Sequence, residues 1–354
     1  MKNKLIGALA IVGVVGTLVA CGGGENPSTN PVSEEQSTRN LTIGVGTTVA
    51  APAYDHYGRL LVEVNFATAL YEGDKVAASL VDVYQIQLDS EKAALKNETV
   101  VTKRDLHDDY AMKDTSANIG NIEGGAEWWE QAAALETYTE GKSTFDETST
   151  DLTAGCTMVA GDLLNVVTEA KTNTKGNVAV ANGNYTIALG HNFSVEADET
   201  SGALTQINIA FAGLLLDGDA KVVTAYIDEV QIPLTFNAEA AEGECEYTIT
   251  PTNAYGSPTT QYNYNGQTIA SKKELGYDYN MKNTSANIGI IEGGAEWFEQ
   301  AAAFEDYLVG KTVSEINLED SSLLAGCTMY AGAYEAACDN AVDSTLYNSK
   351  AITL

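Results

Sequence analysis

The chain carries a long internal duplication, and this feature limits its architecture more than any other. Residues 115–142 read TSANIGNIEGGAEWWEQAAALETYTEGK, and residues 284–311 read TSANIGIIEGGAEWFEQAAAFEDYLVGK. Of these 28 positions, 22 are identical at a spacing of 169 residues. Solenoid repeats have periods of about 20–50 residues, so this longer spacing indicates two copies of a whole domain.

Each copy predicts strands followed by helices. The strands are β-branched, partly alternating runs separated by an acidic-Gly-Asp turn, which is a hairpin pattern. The helices have apolar residues at helical spacing, and Gly141 and Gly310 are expected to stop the first helix of each copy. The predicted elements are hairpins over 62–85 and 207–231, first helices over 126–138 and 295–307, and second helices over 158–170 and 329–342.

Runs of strand followed by runs of helix predict an α+β fold. We therefore expect two duplicated domains, each an antiparallel β-hairpin or sheet packed with two or more helices. The first domain is expected over residues 41–175 and the second over 176–354. The second copy contains an insertion at roughly residues 236–263, which is expected to form a long loop or an extra hairpin.

The amino terminus predicts export. A short basic start and an apolar run end in Leu18-Val19-Ala20-Cys21, which resembles the lipobox of bacterial lipoproteins. The resemblance implies removal of residues 1–20, lipidation of Cys21 and an extracytoplasmic protein anchored to the lipid bilayer. The alternative is an ordinary signal peptide or short anchor with an incidental cysteine. Residues 21–40 are rich in Gly, Pro, Ser, Asn and Glu and predict a disordered tether.

Charge and histidine content narrow the classes of partner. The formal net charge is −30, so phosphate backbones repel the chain and a nucleic-acid partner is not expected. The three histidines, His56, His107 and His191, are far apart in the sequence and do not predict a histidine-rich metal site.

Four cysteines follow Cys21: Cys156, Cys245, Cys327 and Cys338. Export permits disulfides, but the sequence leaves their pairing open, with Cys245–Cys338 as one possibility. Cys156 and Cys327 each stand in a Gly-Cys-Thr step before an apolar helix. A reactive thiol at a helix N-terminus and a small buried cysteine are the two interpretations of this position.

The threonine of each Gly-Cys-Thr step has two interpretations from the residues alone. Thr157 and Thr328 are expected at or near a helix N-cap, where a hydroxyl accepts from free first-turn amides. The same position favours a phosphate, because unpaired N–H groups and the helix dipole point toward it. Gly155 and Gly326 permit a tight turn or a close approach.

The segment Asp151-x-x-Ala154-Gly155-Cys156-Thr157 resembles the flavinylation motif of the FMN-binding domain family. The resemblance implies that a flavin transferase esterifies FMN to Thr157 and to Thr328. Asp151, Gly155 and Thr157 match the motif, whereas Ala154 and Cys156 depart from it. In the second copy Gly326 and Thr328 match, but Ser322 occupies the aspartate position.

This resemblance implies a surface flavoprotein that passes electrons between redox partners, an electron carrier rather than a turnover enzyme. The aromatic residues Trp128, Trp129, Trp297 and Phe298 would then lie against a flavin ring, although such a helical stripe is typical of core packing. The alternative function is a non-catalytic surface binding or interaction lipoprotein whose duplicated domains have lost the flavin site.

Overall fold

Each repeat supplies all the strands of one sheet. The computed structural model describes residues 38–241, 244–249 and 269–354, and these belong to one compact unit. The predicted signal peptide, Cys21 and residues 21–37 of the predicted tether lie outside the described residues. Within the described ranges, no helix combines the length and apolar character needed to cross a membrane.

Apart from the short strands β2 and β9, the elements of the two repeats follow each other in the same order. The first repeat comprises β1 (Thr38–Val49), β2 (Ala53–Tyr54), β3 (Leu60–Glu72), β4 (Lys75–Gln87), α1 (Lys103–Leu106), α2 (Lys113–Ile119), α3 (Trp128–Thr139), α4 (Thr150–Thr153), α5 (Gly161–Thr172) and β5 (Val178–Ala181). The second comprises β6 (Asn184–Ala197), β7 (Leu204–Leu216), β8 (Val222–Phe236), β9 (Tyr247–Ile249), α6 (Lys272–Leu275), α7 (Lys282–Ile288), α8 (Trp297–Leu308), α9 (Ser321–Leu324), α10 (Gly332–Val342) and β10 (Ser349–Thr353).

Both sheets are antiparallel and have related strand orders. The first sheet runs β5-β1-β3-β4, with β2 pairing with β3 beyond the end of β1. The second runs β10-β6-β7-β8-β9. The α+β fold class is therefore confirmed. The two predicted hairpins are also confirmed, as β3–β4 and β7–β8.

The two sheets pack face to face, and helices cover the outer face of each. One apolar cluster joins inward residues of both sheets, including Phe66 and Tyr84 from the first and Phe211 from the second. A second cluster lies between the first sheet and helices α3 and α5, and a third between the second sheet and α8 and α10. The order of layers is helix, sheet, sheet, helix, so both faces of each sheet are buried.

A glycine lets one helix approach the sheet closely in each repeat. A Cβ atom on Gly46 of β1 would lie 2.0 Å from the carbonyl oxygen of Val166 in α5. A Cβ on Gly190 of β6 would lie 1.8 Å from the carbonyl oxygen of Ala337 in α10. Both distances are far below van der Waals contact, so only glycine fits these strand positions.

One carboxylate caps two helices in each repeat. Glu127 is the N-cap of α3 and forms a capping box with Glu130. Its Oε2 atom also accepts from the backbone amide of Met112, at 2.8 Å, at the start of α2. Glu296 repeats this arrangement for α8 and α7, with Met281 as the second donor. Glu123 and Glu292, four residues before these caps, are exposed in the loop that enters each long helix.

A buried ion pair ties α1 or α6 to the long helix of its repeat. Arg104 donates to Glu136 in the first repeat, and Lys273 donates to Glu305 at the equivalent place in the second. Each glutamate also accepts from a strand amide, that of Val81 or Ile227. Arg104 and Lys273, which follow the two hairpins in the sequence, therefore have largely buried side chains.

Several element boundaries differ from the predictions. The first helices begin and end within two residues of their predicted limits, but the second helices start three residues later, at Gly161 and Gly332. Strand β1 begins at Thr38, so residues 38–40 of the predicted tether are strand. The strands β1, β5, β6 and β10 had no prediction. In the insertion, β9 pairs with β8, and residues 242–243 and 250–268 lie outside the described ranges.

The close helix–strand approach yields a stability prediction. Gly190→Ala should lower the free energy of unfolding by about 3 kcal/mol, because the new methyl group overlaps the α10 backbone. The matched control is Gly218→Ala, a turn position where a Cβ meets nothing within 4 Å. That variant should be neutral or slightly more stable. Urea unfolding followed by circular dichroism measures both, and equal midpoints would contradict the assignment.

Candidate functional site

The threonine of each Gly-Cys-Thr step is held by a glutamine rather than by its own helix. Helix α5 has Ala160 as its N-cap and makes no side-chain cap, so the predicted capping role of Thr157 is wrong. Instead, the amide and hydroxyl of Thr157 both donate to Oε1 of Gln131, at 2.7 and 3.0 Å. The amide of Met158 donates to the same oxygen at 3.2 Å.

The second repeat has the same arrangement. Thr328 donates from its amide and hydroxyl to Oε1 of Gln300 at 2.7 and 3.0 Å, and Met329 donates to it at 3.0 Å. We call these groups the threonine clamps. The first clamp comprises Ser116, Gln131 and Thr157, and the second comprises Ser285, Gln300 and Thr328.

The clamps contain the donors that an anion would need at this position. In each repeat, two backbone amides and one hydroxyl converge on a single neutral oxygen, which occupies the centre of the group. A phosphoester at Thr157 Oγ1 would require Gln131, which is fully buried, to give up this contact. Burial of Gln131 with three donors makes that displacement costly.

The other residues of the predicted motif lie apart from the clamps. Asp151 is exposed on α4, where it borders a surface depression with Lys142 and Tyr138. Thr157 does not line this depression. Ser322, at the equivalent place, is held by Asp320, the N-cap of α9. A Cβ on Gly155 would lie 2.9 Å from the Ala134 methyl group, so this glycine permits the loop to pack on α3. Gly326 has the same relation to α8.

The cysteines of the folded part are free thiols. Cys156, Cys327 and Cys338 are buried, and Cys245 is half-buried, so the Cys245–Cys338 pair is not formed. Burial raises the pKa of Cys156, and it raises the pKa of Cys327 to about 11. Both thiols are therefore protonated near neutral pH, which favours the interpretation of small buried cysteines over reactive ones.

The aromatic stripe divides between core and surface. Trp128 and Trp297 are buried among apolar residues, as the core interpretation predicts, although Trp297 also borders a cavity. Trp129 and Phe298 are half-buried on the outer side of the same helices.

The second repeat contains a cavity of about 580 Å³, which we call the sheet-end cavity. Its floor is the part of the second sheet that the helices leave uncovered, and its walls come from α6, α8, α10 and the Met329–Tyr330 turn. The polar side chains of the floor are Asn192, Ser194, Glu196, Asn208, Glu229 and Gln231. A volume of this size is typical of small-molecule sites.

A paired lysine forms one wall of this cavity. Lys272 Nζ lies 2.8 Å from Glu229 Oε2, and both side chains are almost fully buried. Tyr334 also donates its hydroxyl to Glu229. Burial opposes the charge of Lys272, but Glu229 and Tyr279 outweigh this effect and raise the pKa of the lysine. The lysine charge is therefore neutralised within the wall.

The first repeat lacks this arrangement at the equivalent place. Strand register aligns Val83 with Glu229, and helix register aligns Leu163 with Tyr334. The lysine equivalent to Lys272 is Lys103, whose pKa is lowered by burial. The sequence prediction missed Lys272, Glu229 and Tyr334. The available signal was the acidic pair 228–229 inside an otherwise apolar strand.

The threonine clamp gives a prediction that separates structural from cofactor roles. Gln131→Leu should lower the free energy of unfolding by about 2–4 kcal/mol, because it leaves three donors without an acceptor. Thr157→Val removes only the hydroxyl and should lower it by about 1 kcal/mol. Thermal unfolding of flavin-free protein measures both changes. A loss in Thr157→Val as large as that in Gln131→Leu would contradict the glutamine-centred clamp.

A scan of protein-family models, a search of curated proteins and a search of solved structures each gave no match.

Proposed function

We propose that this chain is a lipid-anchored extracytoplasmic binding protein that holds a small neutral, hydroxyl-rich ligand, such as a monosaccharide, in the sheet-end cavity. The observation that carries the proposal is the cavity itself, with its polar floor on an otherwise apolar sheet. Anchoring through Cys21 rests on the lipobox-like sequence at residues 18–21.

The side chains of the floor support a ligand with many hydroxyl groups. Asn192, Asn208 and Gln231 present amides, which both donate and accept hydrogen bonds. The largely exposed ring of Tyr330 at the rim offers a flat apolar surface to the ligand. A hydroxyl-rich ring with apolar C–H faces matches both kinds of contact.

The electrostatics support a neutral ligand over an anion. Lys272 is paired with Glu229, so its charge is already compensated. Glu196 at the end of the floor adds a carboxylate, which accepts from Asn208 at 3.3 Å. With a net charge of −30, the surface also repels anions during approach.

FMN attachment at Thr157 and Thr328 stays a prediction. The two threonines are half-buried and equivalently placed in the repeats, but their hydroxyls and neighbouring amides are engaged by Gln131 and Gln300. This engagement supports the non-catalytic alternative. The clamps then have a structural role, and a flavin transferase and redox partners are not needed.

Sugar binding is tested by thermal shift with a panel of hexoses and pentoses. At saturation, a bound sugar should raise the melting temperature of the folded part by a few degrees, on the order of 2–4 °C for about 1–3 kcal/mol of binding stabilisation. Gln231→Leu should abolish the shift because it removes a floor amide. The matched control Gln85→Leu changes the equivalent residue of the first repeat and should retain it. No shift with any sugar, or equal shifts in both variants, would overturn the proposal.

The intact mass of the protein tests the cofactor alternative and the anchor together. After expression in a bacterial host with a flavin transferase, the mature chain should begin at Cys21, carry acyl groups and lack FMN. Thr157→Val and Thr328→Val should leave that mass otherwise unchanged. One or two FMN adducts that disappear in these variants would instead establish the flavoprotein function, and an unlipidated mass would remove the anchor.

A further inference from the structure

A second cavity, of about 400 Å³, opens on the other side of α6 from the sheet-end cavity. Adjacent lysines line the two spaces, Lys272 the first and Lys273 the second. The residues that line this second cavity include Lys175, Tyr226, Lys273, Gly276, Phe298 and Glu305. We call it the Gly276 cavity.

The equivalent place in the first repeat is filled by the protein's own rings. His107 stacks on Trp129, with ring centroids 4.4 Å apart and planes 14° apart. Tyr347 also stacks on this histidine, with centroids 3.7 Å apart and planes 22° apart. Three flat rings thus form one parallel stack.

His107 is held in this stack despite an unfavourable backbone. Its φ is +49° and its ψ is −121°, a conformation that residues other than glycine rarely adopt. Gly276 has nearly the same dihedral angles, +52° and −120°, at the end of α6. The two residues therefore occupy equivalent positions. Stacking of the His107 side chain on Trp129 and Tyr347 offsets its unfavourable backbone conformation.

The second repeat keeps the aromatic platform, which is the ring at the position of Trp129. It has no equivalent of the two other rings, His107 and Tyr347, that stack there. Phe298 is equivalent to Trp129, and Lys273 with Glu305 is equivalent to Arg104 with Glu136. Gly276 replaces His107, and the register of α5–β5 against α10–β10 places Gly176 where Tyr347 stands. A Cβ added at either glycine meets nothing within 4 Å.

We propose that the Gly276 cavity binds a small heteroaromatic molecule, whose ring stacks on Phe298 in the space that His107 and Tyr347 fill in the first repeat. The first repeat supports this ligand class, because flat rings stack in parallel over its platform residue, Trp129. Tyr277, which lies edge-on to Phe298 with centroids 5.1 Å apart, forms a side wall.

The charges around the cavity favour a ligand without net charge. Lys273 is paired with Glu305, and Lys175 is paired with Asp306 and lies 3.7 Å from Glu305. These groups remain able to make hydrogen bonds to a ring nitrogen or its substituent. The cavity volume lies within the range of small-molecule sites and exceeds that needed for one bicyclic ring.

The test uses indole as the aromatic probe and cyclohexanol as a probe that is not flat. Isothermal titration of the folded chain should show one saturable indole site and no saturable cyclohexanol site. Gly276→His should abolish indole binding, because its own ring then takes the position that His107 takes in the first repeat. Phe298→Leu keeps an apolar side chain but removes the ring, and should weaken binding about three- to tenfold.

A gain-of-site variant provides the matched control. The double variant His107→Gly/Tyr347→Gly should open the equivalent place over Trp129 and raise the stoichiometry from one indole to two. Circular dichroism checks that each variant is folded. Equal binding of indole and cyclohexanol, unchanged indole affinity in both Gly276→His and Phe298→Leu, or no saturable indole binding at all would each overturn the proposal.

Discussion

Burial of both faces of each sheet is the constraint on which the rest of the structure depends. The inner faces share one apolar cluster, so neither repeat can expose its sheet without losing the core of the other. The outer faces are covered by helices only over part of their length. On the second sheet, a group of polar side chains lies where the helical cover ends, and this is where the sheet-end cavity lies.

The near-identity of the duplicated block has a structural explanation. Ser116 and Gln131 belong to the threonine clamp, and Glu127 caps two helices. A Cβ on Gly125, whose φ is +69°, would lie 2.1 Å from the carbonyl oxygen of Lys113. Few substitutions satisfy these contacts together, because Gln131, Glu127 and Gly125 each meet backbone atoms of another segment. A block retained in both copies in this way requires no chemical role.

The sequence predicted the fold class, the hairpins and the first helices, because each rests on a local periodicity. It did not predict β1 and β6, because Gly46 and Gly190 interrupt their apolar pattern, and those glycines are explained only by the helix that packs on them. For the candidate site, the sequence singled out Thr157 and Thr328 but could not show that a glutamine on another helix holds them. The Lys272–Glu229–Tyr334 group joins three separate segments and has no spacing that local reasoning detects.

Two rings stack over Trp129, whereas glycines, Gly276 and Gly176, occupy the equivalent positions near Phe298. Within each repeat, however, the shared cap at Glu127 or Glu296 has a consequence for dynamics. The loop between the two capped helices is exposed and rich in glycine, features that normally mark segments opening independently of the core. Opening it here would release the first-turn amides of two helices at once. The loop and both helices should therefore exchange their amide hydrogens as a single cooperative unit.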